Sequence, residues 1–318
     1  MHSGLPAHVP QARPWLVACY GKQLQDQALF SASENRWYPR TIPDTRNKHI
    51  WTSNNGWLVL QDCKSGDCSL LSLVSMKKLQ LPKLDYNFTR FCILTSTPPD
   101  RYCHVLFFEM SCMLFCKPGD DKYVKQDLIL DDNTNIVTAT TFEGKVYVLT
   151  TAEDAMTILE YAGAAGTPFQ VRRVMREGLG MEWTQPGSRS GKTLVESGGE
   201  LLCVRTICSG IVGEDVSDFE VFRLDFSEMV WVKMDSIGER TIFLSLSEGT
   251  SYSKTEANIK GNCIYFTQRG CDSNLYVFDL DDRSILVTWP CPKISKRTWL
   301  FRWILLPENE TDWLKLSC

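Results

Sequence analysis

The stretch Ser190-Gly191-Lys192-Thr193 carries the ending of a phosphate-binding loop, and it is the segment of this chain with the most explicit chemistry. Such a loop wraps phosphates with backbone N–H groups, so a first glycine must stand five residues before Gly191. That position is Pro186, which has no N–H to give, and Gly187 comes one residue late. The motif must also follow a buried strand and open a helix. Gly180-Met-Glu-Trp-Thr-Gln-Pro is no apolar strand, and Leu194 to Val204 reads as strand, glycine turn, strand. The residues predict a hairpin through Gly198-Gly199, and no nucleotide site.

Cysteine and histidine offer the next chemistry. Thirteen cysteines are an odd number, and most sit in apolar runs such as MSCMLFCK (residues 110–117) and ELLCVRTIC (residues 200–208), where a thiol acts as a small apolar group. Cys63 and Cys68 bracket Lys-Ser-Gly-Asp, the wording of a hairpin turn across which they could face each other. A structural zinc site would need a second pair, and the four histidines, His2, His8, His49 and His104, do not supply it. His104, Cys112 and Cys116 share strand parity with Leu106, Phe108 and Leu114, which predicts core positions. The acidic pairs at Asp131-Asp132 and Asp281-Asp282, with Asp279, read as turn residues satisfying their own backbone. No catalytic, cofactor-binding or metal-binding residue is assigned, and no cofactor is expected.

Composition bounds the partners. A net charge of −4 provides no basic field for nucleic acid or an anionic membrane surface. No apolar run approaches the ~20 residues of a membrane span. The opening MHSGLPAHVPQARP has neither the basic start nor the apolar centre of a secretion signal. The expectation is a soluble intracellular protein of cytoplasm or nucleus, in which Asn87-Phe-Thr and Asn309-Glu-Thr are not glycosylated.

The elements that would position any site are strands. No stretch of twelve residues keeps a helical apolar period. Short β-rich runs begin near residues 15, 56, 104, 144, 199 and 261, several directly after a glycine or Asn-Gly pair. Phe219 to Trp231 and Leu275 to Trp289 repeat one plan: a strand ends at Leu-Asp, turns through polar residues and returns to a tryptophan. A unit of roughly 40 to 60 residues matches a four-stranded propeller blade, kelch repeats being about 50. The fold class is therefore an all-β, kelch-like β-propeller of about six blades: residues 1–13 form a tail and 14–318 a single domain. The glycines are expected to let inner strands crowd the axis, with Trp231 and Trp289 filling the outer gaps between blades. Trp299 to Leu306 is a further strand with two readings, closing the N-terminal blade or opening a seventh.

The stretches Thr193 to Arg205, Phe219 to Asp225, Trp231 to Ser245, Gly261 to Thr267 and Val277 to Asp281, with Pro14-Trp15-Leu16 and Asn54-Asn-Gly-Trp-Leu58 upstream, carry a resemblance. In order and spacing the chain resembles the plant KIB-type β-propeller family. The resemblance implies a propeller that captures a protein target, joined to an F-box that docks to the Skp1 subunit of a cullin-type ubiquitin ligase; some members of this kind target a kinase of brassinosteroid signalling. An F-box needs about 40 to 50 residues, and only 14 precede Trp15, so the sequence predicts a propeller without an F-box and makes Skp1 docking doubtful. The expected function is a non-enzymatic interaction propeller with an unidentified protein partner. A propeller enzyme, or a truncated paralogue without function, are the alternatives. Asp44 to Asn55, Thr95 to Tyr102, Leu179 to Lys192 (with Trp183 and Arg189) and Ser209 to Asp218 are read as the long loops available for contact; the binding residues themselves are unknown.

Overall fold

The computed structural model describes residues 12–54, 56–84, 91–98, 100–128, 135–151, 156–161, 169–174, 189–209, 215–245, 248–257, 259–268, 274–288 and 299–307. They form six small sheets. The chain enters through β1 (Ala12–Tyr20), β2 (Asp26–Ser31) and β3 (Arg36–Tyr38). The second blade is β4 (Lys48–Asn54), β5 (Trp57–Asp62), β6 (Cys68–Ser72) and β7 (Lys78–Leu81). The third is β8 (Phe91–Leu94), β9 (Val105–Phe108), β10 (Cys112–Cys116) and β11 (Val124–Asp127). The fourth is β12 (Ile136–Phe142), β13 (Lys145–Thr150), β14 (Met156–Tyr161) and β15 (Phe169–Val174). The fifth is β16 (Arg189–Ser197), β17 (Glu200–Ser209), β18 (Asp215–Asp225) and β19 (Val230–Met234).

The sixth blade departs from this plan. Its strands are β20 (Arg240–Leu244), β21 (Gly249–Ser253), then, after one helical turn α1 (Lys254–Ala257), β22 (Cys263–Thr267), β23 (Leu275–Asp279) and β24 (Ile285–Thr288). The order is β21-β20-β22-β23-β24, and β20 runs parallel to β22. The hairpin β20–β21 is thus an added element whose second strand sits innermost. Finally β25 (Trp299–Pro307) pairs antiparallel with β1, from Ala12↔Pro307 to Tyr20↔Trp299. The C-terminal strand closes the N-terminal blade, and the blade number is six.

Each sheet is too small to bury its own faces, so neighbours must share a core. Six apolar clusters sit at the six seams. In β1, Trp15, Val17 and Cys19 face the second blade, whereas Leu16 and Ala18 face the sixth. In β9, Val105 and Phe107 pack on the second blade, and Leu106 and Phe108 on the fourth. In β17, Leu201 and Cys203 face the fourth, Leu202 and Val204 the sixth. A strand buried on both faces has no solvent side, so its sequence is a continuous apolar run and not an alternating one.

The runs read from the sequence are the second strands of the first five blades, β1, β5, β9, β13 and β17, and in the sixth β22, which is third from the axis because of the added hairpin. The glycines before several of them therefore do not line the axis. They form the turns from inner to second strand, as where Ser197 pairs with Glu200 across Gly198 (φ 61°) and Gly199 (φ 81°). Positive φ at both turn positions is the type I′ geometry that suits strand twist, and glycine adopts it without strain. Trp231 does fill a seam, between the fourth and fifth blades; Trp289 lies outside the described residues.

One glycine is held by space alone. A Cβ on Gly249 would stand 2.4 Å from Val195 Cγ2 and 3.1 Å from Leu244 Cδ2, where β21 crosses β16. Gly249→Ala is expected to destabilise the protein by about 1 to 3 kcal/mol through overpacking. A chemical denaturation curve will show it, and a shift no larger than that of an exposed surface substitution would mean the two blades separate freely.

Candidate functional site

Six strands surround the axis: β25, β4, β8, β12, β16 and β21. Contacts run from β25 to β4, β4 to β8, β8 to β12, β12 to β16 and β16 to β21. Phe243, next to β21, closes the circle on Trp303 of β25 with ring centroids 4.5 Å apart. Inner strands approach closely, so they carry small hydroxyl residues whose polar groups satisfy each other. Thr138 Oγ1 accepts from Leu194 N at 3.2 Å, linking β12 to β16. Ser197 and Ser251 hydroxyls lie 2.8 Å apart, and Arg240 Nε donates to both, at 2.8 and 3.0 Å.

Along the axis lies a cavity of about 440 Å³, partly open to solvent. Its walls come from every blade: Thr52 from β4, Leu94 to Thr97 from the end of β8, Ala139 to Thr141 from β12, Leu194 and Glu196 from β16, Gly249 to Tyr252 from β21, Trp303 and Ile304 from β25. The C-terminal parts of β4, β8, β12 and β16 all line it, which shows that these strands run toward one end of the ring.

Glu248 and Glu196 are the two acidic residues among those that line the cavity. Glu248 stands just before β21, where Ser245 N donates to Glu248 O at 2.8 Å and Trp303 N donates to Ser245 Oγ at 3.3 Å. The residue as a whole is half-buried, but its carboxyl Oε1 is sealed from water and has no hydrogen-bond partner. Burial raises the carboxyl to about 7, against the opposing pull of Arg302 and of a hydrogen bond from Thr52. Arg302 is itself buried, with Nε donating to Ile50 O and Nη1 to Phe301 O, both at 3.0 Å. Behind it His49 is driven down to about 3, first by burial and then by the Arg302 charge. Trp303 Nε1 and Ser96 Oγ are two further buried polar atoms without a hydrogen-bond partner among the cavity-lining residues.

The other residues singled out by their chemistry are scattered. Lys192 lies in β16, paired with Arg205 of β17, so the last four residues of Leu179 to Lys192 are strand; residues 179–188, Trp183 among them, lie outside the described residues. Asp44 to Asn55 is likewise mostly β4, because Ile50 and Trp51 are needed in the seams. Ser209 and Asp215 to Asp218 extend β17 and β18. Thr95 to Tyr102 does connect β8 to β9 as a loop. Cys63 and Cys68 do not face each other: Cys68 opposes Gln61, while Cys63 sits in the turn, and both are free thiols. His104, Cys112 and Cys116 are buried, with the His104 ring 4.3 Å from Tyr161. Burial holds the thiols of Cys19 and Cys203 up at about 12, so they stay protonated and unreactive. Asp282 Oδ1 accepts from Ser284 N, a turn role, and Asp279 closes β23 and accepts from Asp281 N; Asp131-Asp132 lie outside the described residues. Among the described residues, no group of three or more His, Cys, Asp or Glu could hold a metal ion.

The ends of the ring differ. Gly56, in the β4–β5 turn, accepts from Leu73 N of the β6–β7 turn at 2.7 Å. Phe142, before the β12–β13 turn, stacks on Phe226 of the β18–β19 turn with centroids 5.5 Å apart. Turns from first to second and from third to fourth strand therefore share one end. There Val74, Met76, Tyr102 and Phe226 are exposed, whereas the opposite end shows Met110 among the described residues.

A family model, the KIB1-4 β-propeller, matches residues 29–289. The chain belongs to the KIB1-4 β-propeller family. That match spans the ring from β2 through β24, including the irregular sixth blade. A protein of Arabidopsis thaliana that carries an F-box protein name, At5g66830, is 22% identical over 309 residues, covering 86% of this chain and 76% of its own. Among solved structures the chain is similar to the Cps50 (Swd1) β-propeller domain of Myceliophteria thermophila, at TM-score 0.42 and 12% identity over 87% of this chain and 85% of that one. It is also similar to apo AztD from Citrobacter koseri, at TM-score 0.40 and 9% identity over 92% and 97%. No helix among the described residues is long and apolar enough to cross a membrane.

Proposed function

We propose that this KIB1-4 propeller is a non-enzymatic recognition module that captures a protein partner as the target-binding part of an SCF-type ubiquitin ligase in a plant cell. The observation that carries the reading is the family match from β2 through β24, joined to the F-box name of the Arabidopsis relative. The F-box end of such a ligase would dock Skp1; the propeller would supply the target surface. The rim that bears Val74, Met76 and Tyr102 supports this division, because exposed apolar and aromatic side chains on rigidly held turns are what contact hot spots are made of.

The test compares proximity labelling in plant cells by three forms of the chain. Wild type is expected to enrich a defined set of proteins that includes a ubiquitinated target. The double substitution Met76→Asp with Tyr102→Asp is expected to lose that target at least about tenfold, since hot-spot truncations cost 2 kcal/mol or more. Met110→Asp, at the opposite end, keeps it. Identical profiles for all three forms would remove this rim as the recognition face, and the absence of any ubiquitinated protein from the enriched set would remove the ligase role.

A further inference from the structure

We propose that the protein forms a reversible dimer by antiparallel pairing of the sixth blade's outer strand, β24, with the same strand of a second copy. The inference does not depend on the recognition role above. Each of the other five blades ends in a strand that carries an exposed cation: Arg36 in β3, Lys78 in β7, Lys125 in β11, Arg172 in β15 and Lys233 in β19. Charges of this kind keep an unpaired edge from docking to another strand. The strand β24 reads Ile285-Leu-Val-Thr288 and has none. Its Leu286 and Val287, at 61% and 60%, are the most exposed large apolar side chains among the described residues.

The hairpin fixes which backbone groups of β24 are available. Asp279 N donates to Ser284 O at 3.0 Å, and the register continues through Val277↔Leu286 and Leu275↔Thr288. Hydrogen-bonded and non-hydrogen-bonded pairs alternate in an antiparallel ladder. Leu286 and Thr288 therefore bond inward, while Ile285 and Val287 turn their N–H and C=O outward. The residues themselves select the occupant. Ser284-Ile285-Leu286-Val287-Thr288 has the same chemistry from either end: hydroxyl, β-branched aliphatic, leucine, β-branched aliphatic, hydroxyl. Laid antiparallel on a second copy about Leu286, it exchanges backbone bonds between Ile285 of each copy and Val287 of the other. On one face Leu286 meets Leu286 and each Ser284 meets a Thr288; on the other, Val287 covers Ile285. No charge is opposed anywhere in the stretch. A contact that uses the same patch on both subunits closes on itself, so assembly stops at two copies. The paired strands run opposite ways, so the two rings present their Met76 and Tyr102 ends in opposite directions.

Five residues a side bury less than the ~1,200 Å² of a standard interface, so a dissociation constant of roughly 100 μM is expected. Sedimentation velocity of the full chain from about 5 to 400 μM will show a rise from monomer toward dimer. Leu286→Lys places like charges on the two-fold axis and is expected to weaken association at least about tenfold, as is Leu286→Glu. Leu286 is exposed, so neither variant threatens the fold. An equal mixture of the two opposes lysine to glutamate and regains the dimer. Val232→Lys, on the outer strand of the fifth blade, leaves association unchanged. Amide exchange needs no variant: the Ile285 and Val287 amides are expected to exchange more slowly as concentration rises, and those of β19 are not. A chain that stays monomeric through the whole range leaves the edge to a strand of some other protein and overturns the proposal. So does a Leu286→Lys protein that dimerises as wild type does, or a mixture that associates no better than either variant alone.

Discussion

Phe243→Ala is expected to destabilise the protein by about 3 to 5 kcal/mol, among the largest effects a single substitution here can produce. Phe243 is fully buried at the seam between the sixth and first blades. Its ring lies 4.5 Å from Trp303, 5.0 Å from Tyr265 and 5.9 Å from Tyr252, and the removed volume cannot be refilled by neighbours already packed on other strands. Domains have only about 5 to 15 kcal/mol in total, so the loss is a large share of the whole. Calorimetry should show the melting temperature fall by roughly 5 to 8 °C for a chain of this size. Leu286→Ala is the matched control, since Leu286 is 61% exposed on the outermost strand of the same blade, and it should stay within about 0.5 kcal/mol of wild type. Equal shifts for the two would mean that the closing seam contributes nothing and the ring is open in solution.

The second large effect is hidden in wild type because two buried groups titrate in opposition. The Glu248 carboxyl rises on folding from 4.5 to about 7, so the folded state holds more protons in that window and stability falls as pH rises through it, by at most about 3 kcal/mol. The His49 imidazole falls on folding from 6.5 to about 3, so the folded state holds fewer protons there and stability rises with pH, by at most about 5 kcal/mol. Both groups face Arg302, and Glu248 also faces the buried, protonated thiol of Cys92 and the Thr52 hydroxyl. Between pH 4.5 and 6.5 the two slopes cancel. The expected wild-type profile in that range is flat. Glu248→Gln should expose a rise of about 3 kcal/mol across it and, at pH 8, exceed wild type by about 3 kcal/mol; His49→Gln should expose a fall of similar size. Denaturant midpoints at five pH values will decide, and parallel profiles for wild type and both variants would place neither group in a dry environment.

The ring was readable in the sequence because second strands are buried on both faces. Val105-Leu-Phe-Phe108 and Leu201-Leu-Cys-Val204 can be nothing but seam strands once helical periodicity is absent, and their spacing counts the blades. The inner strands escaped notice for the opposite reason. Thr138, Thr140, Ser197 and Ser251 satisfy one another or the cavity through hydroxyls, and such residues read as loop when the partner strand is unknown. The loop read at Asp44 to Asn55 and the last four residues of the one read at Leu179 to Lys192 are strands of this kind, β4 and β16. Glu248 stands in Ser245-Leu-Ser-Glu-Gly249, a stretch with the wording of an exposed turn. Only the added hairpin of the sixth blade, with its parallel β20–β22 pair, buries that carboxyl beside Arg302 and Thr52, and no local pattern announces a parallel pairing. Its one legible trace is a pair of closely spaced β-rich segments, Arg240 to Leu244 and Gly249 to Ser253, where the other blades have a single inner strand.

The pairing of Trp15 with Ile304 has a consequence for how the protein is made. The ribosome makes β1 before β25, so the strand that hydrogen-bonds the open side of β1 emerges only after the five blades between them. At about 5 to 20 residues per second, a quarter of a minute to a minute separates the two. Throughout that interval Leu16, Val17 and Ala18 stand on a sheet margin with no mate, an invitation to strands of any other nascent chain. Moving β25 ahead of β1 by circular permutation is therefore expected to raise the soluble yield without altering the finished ring.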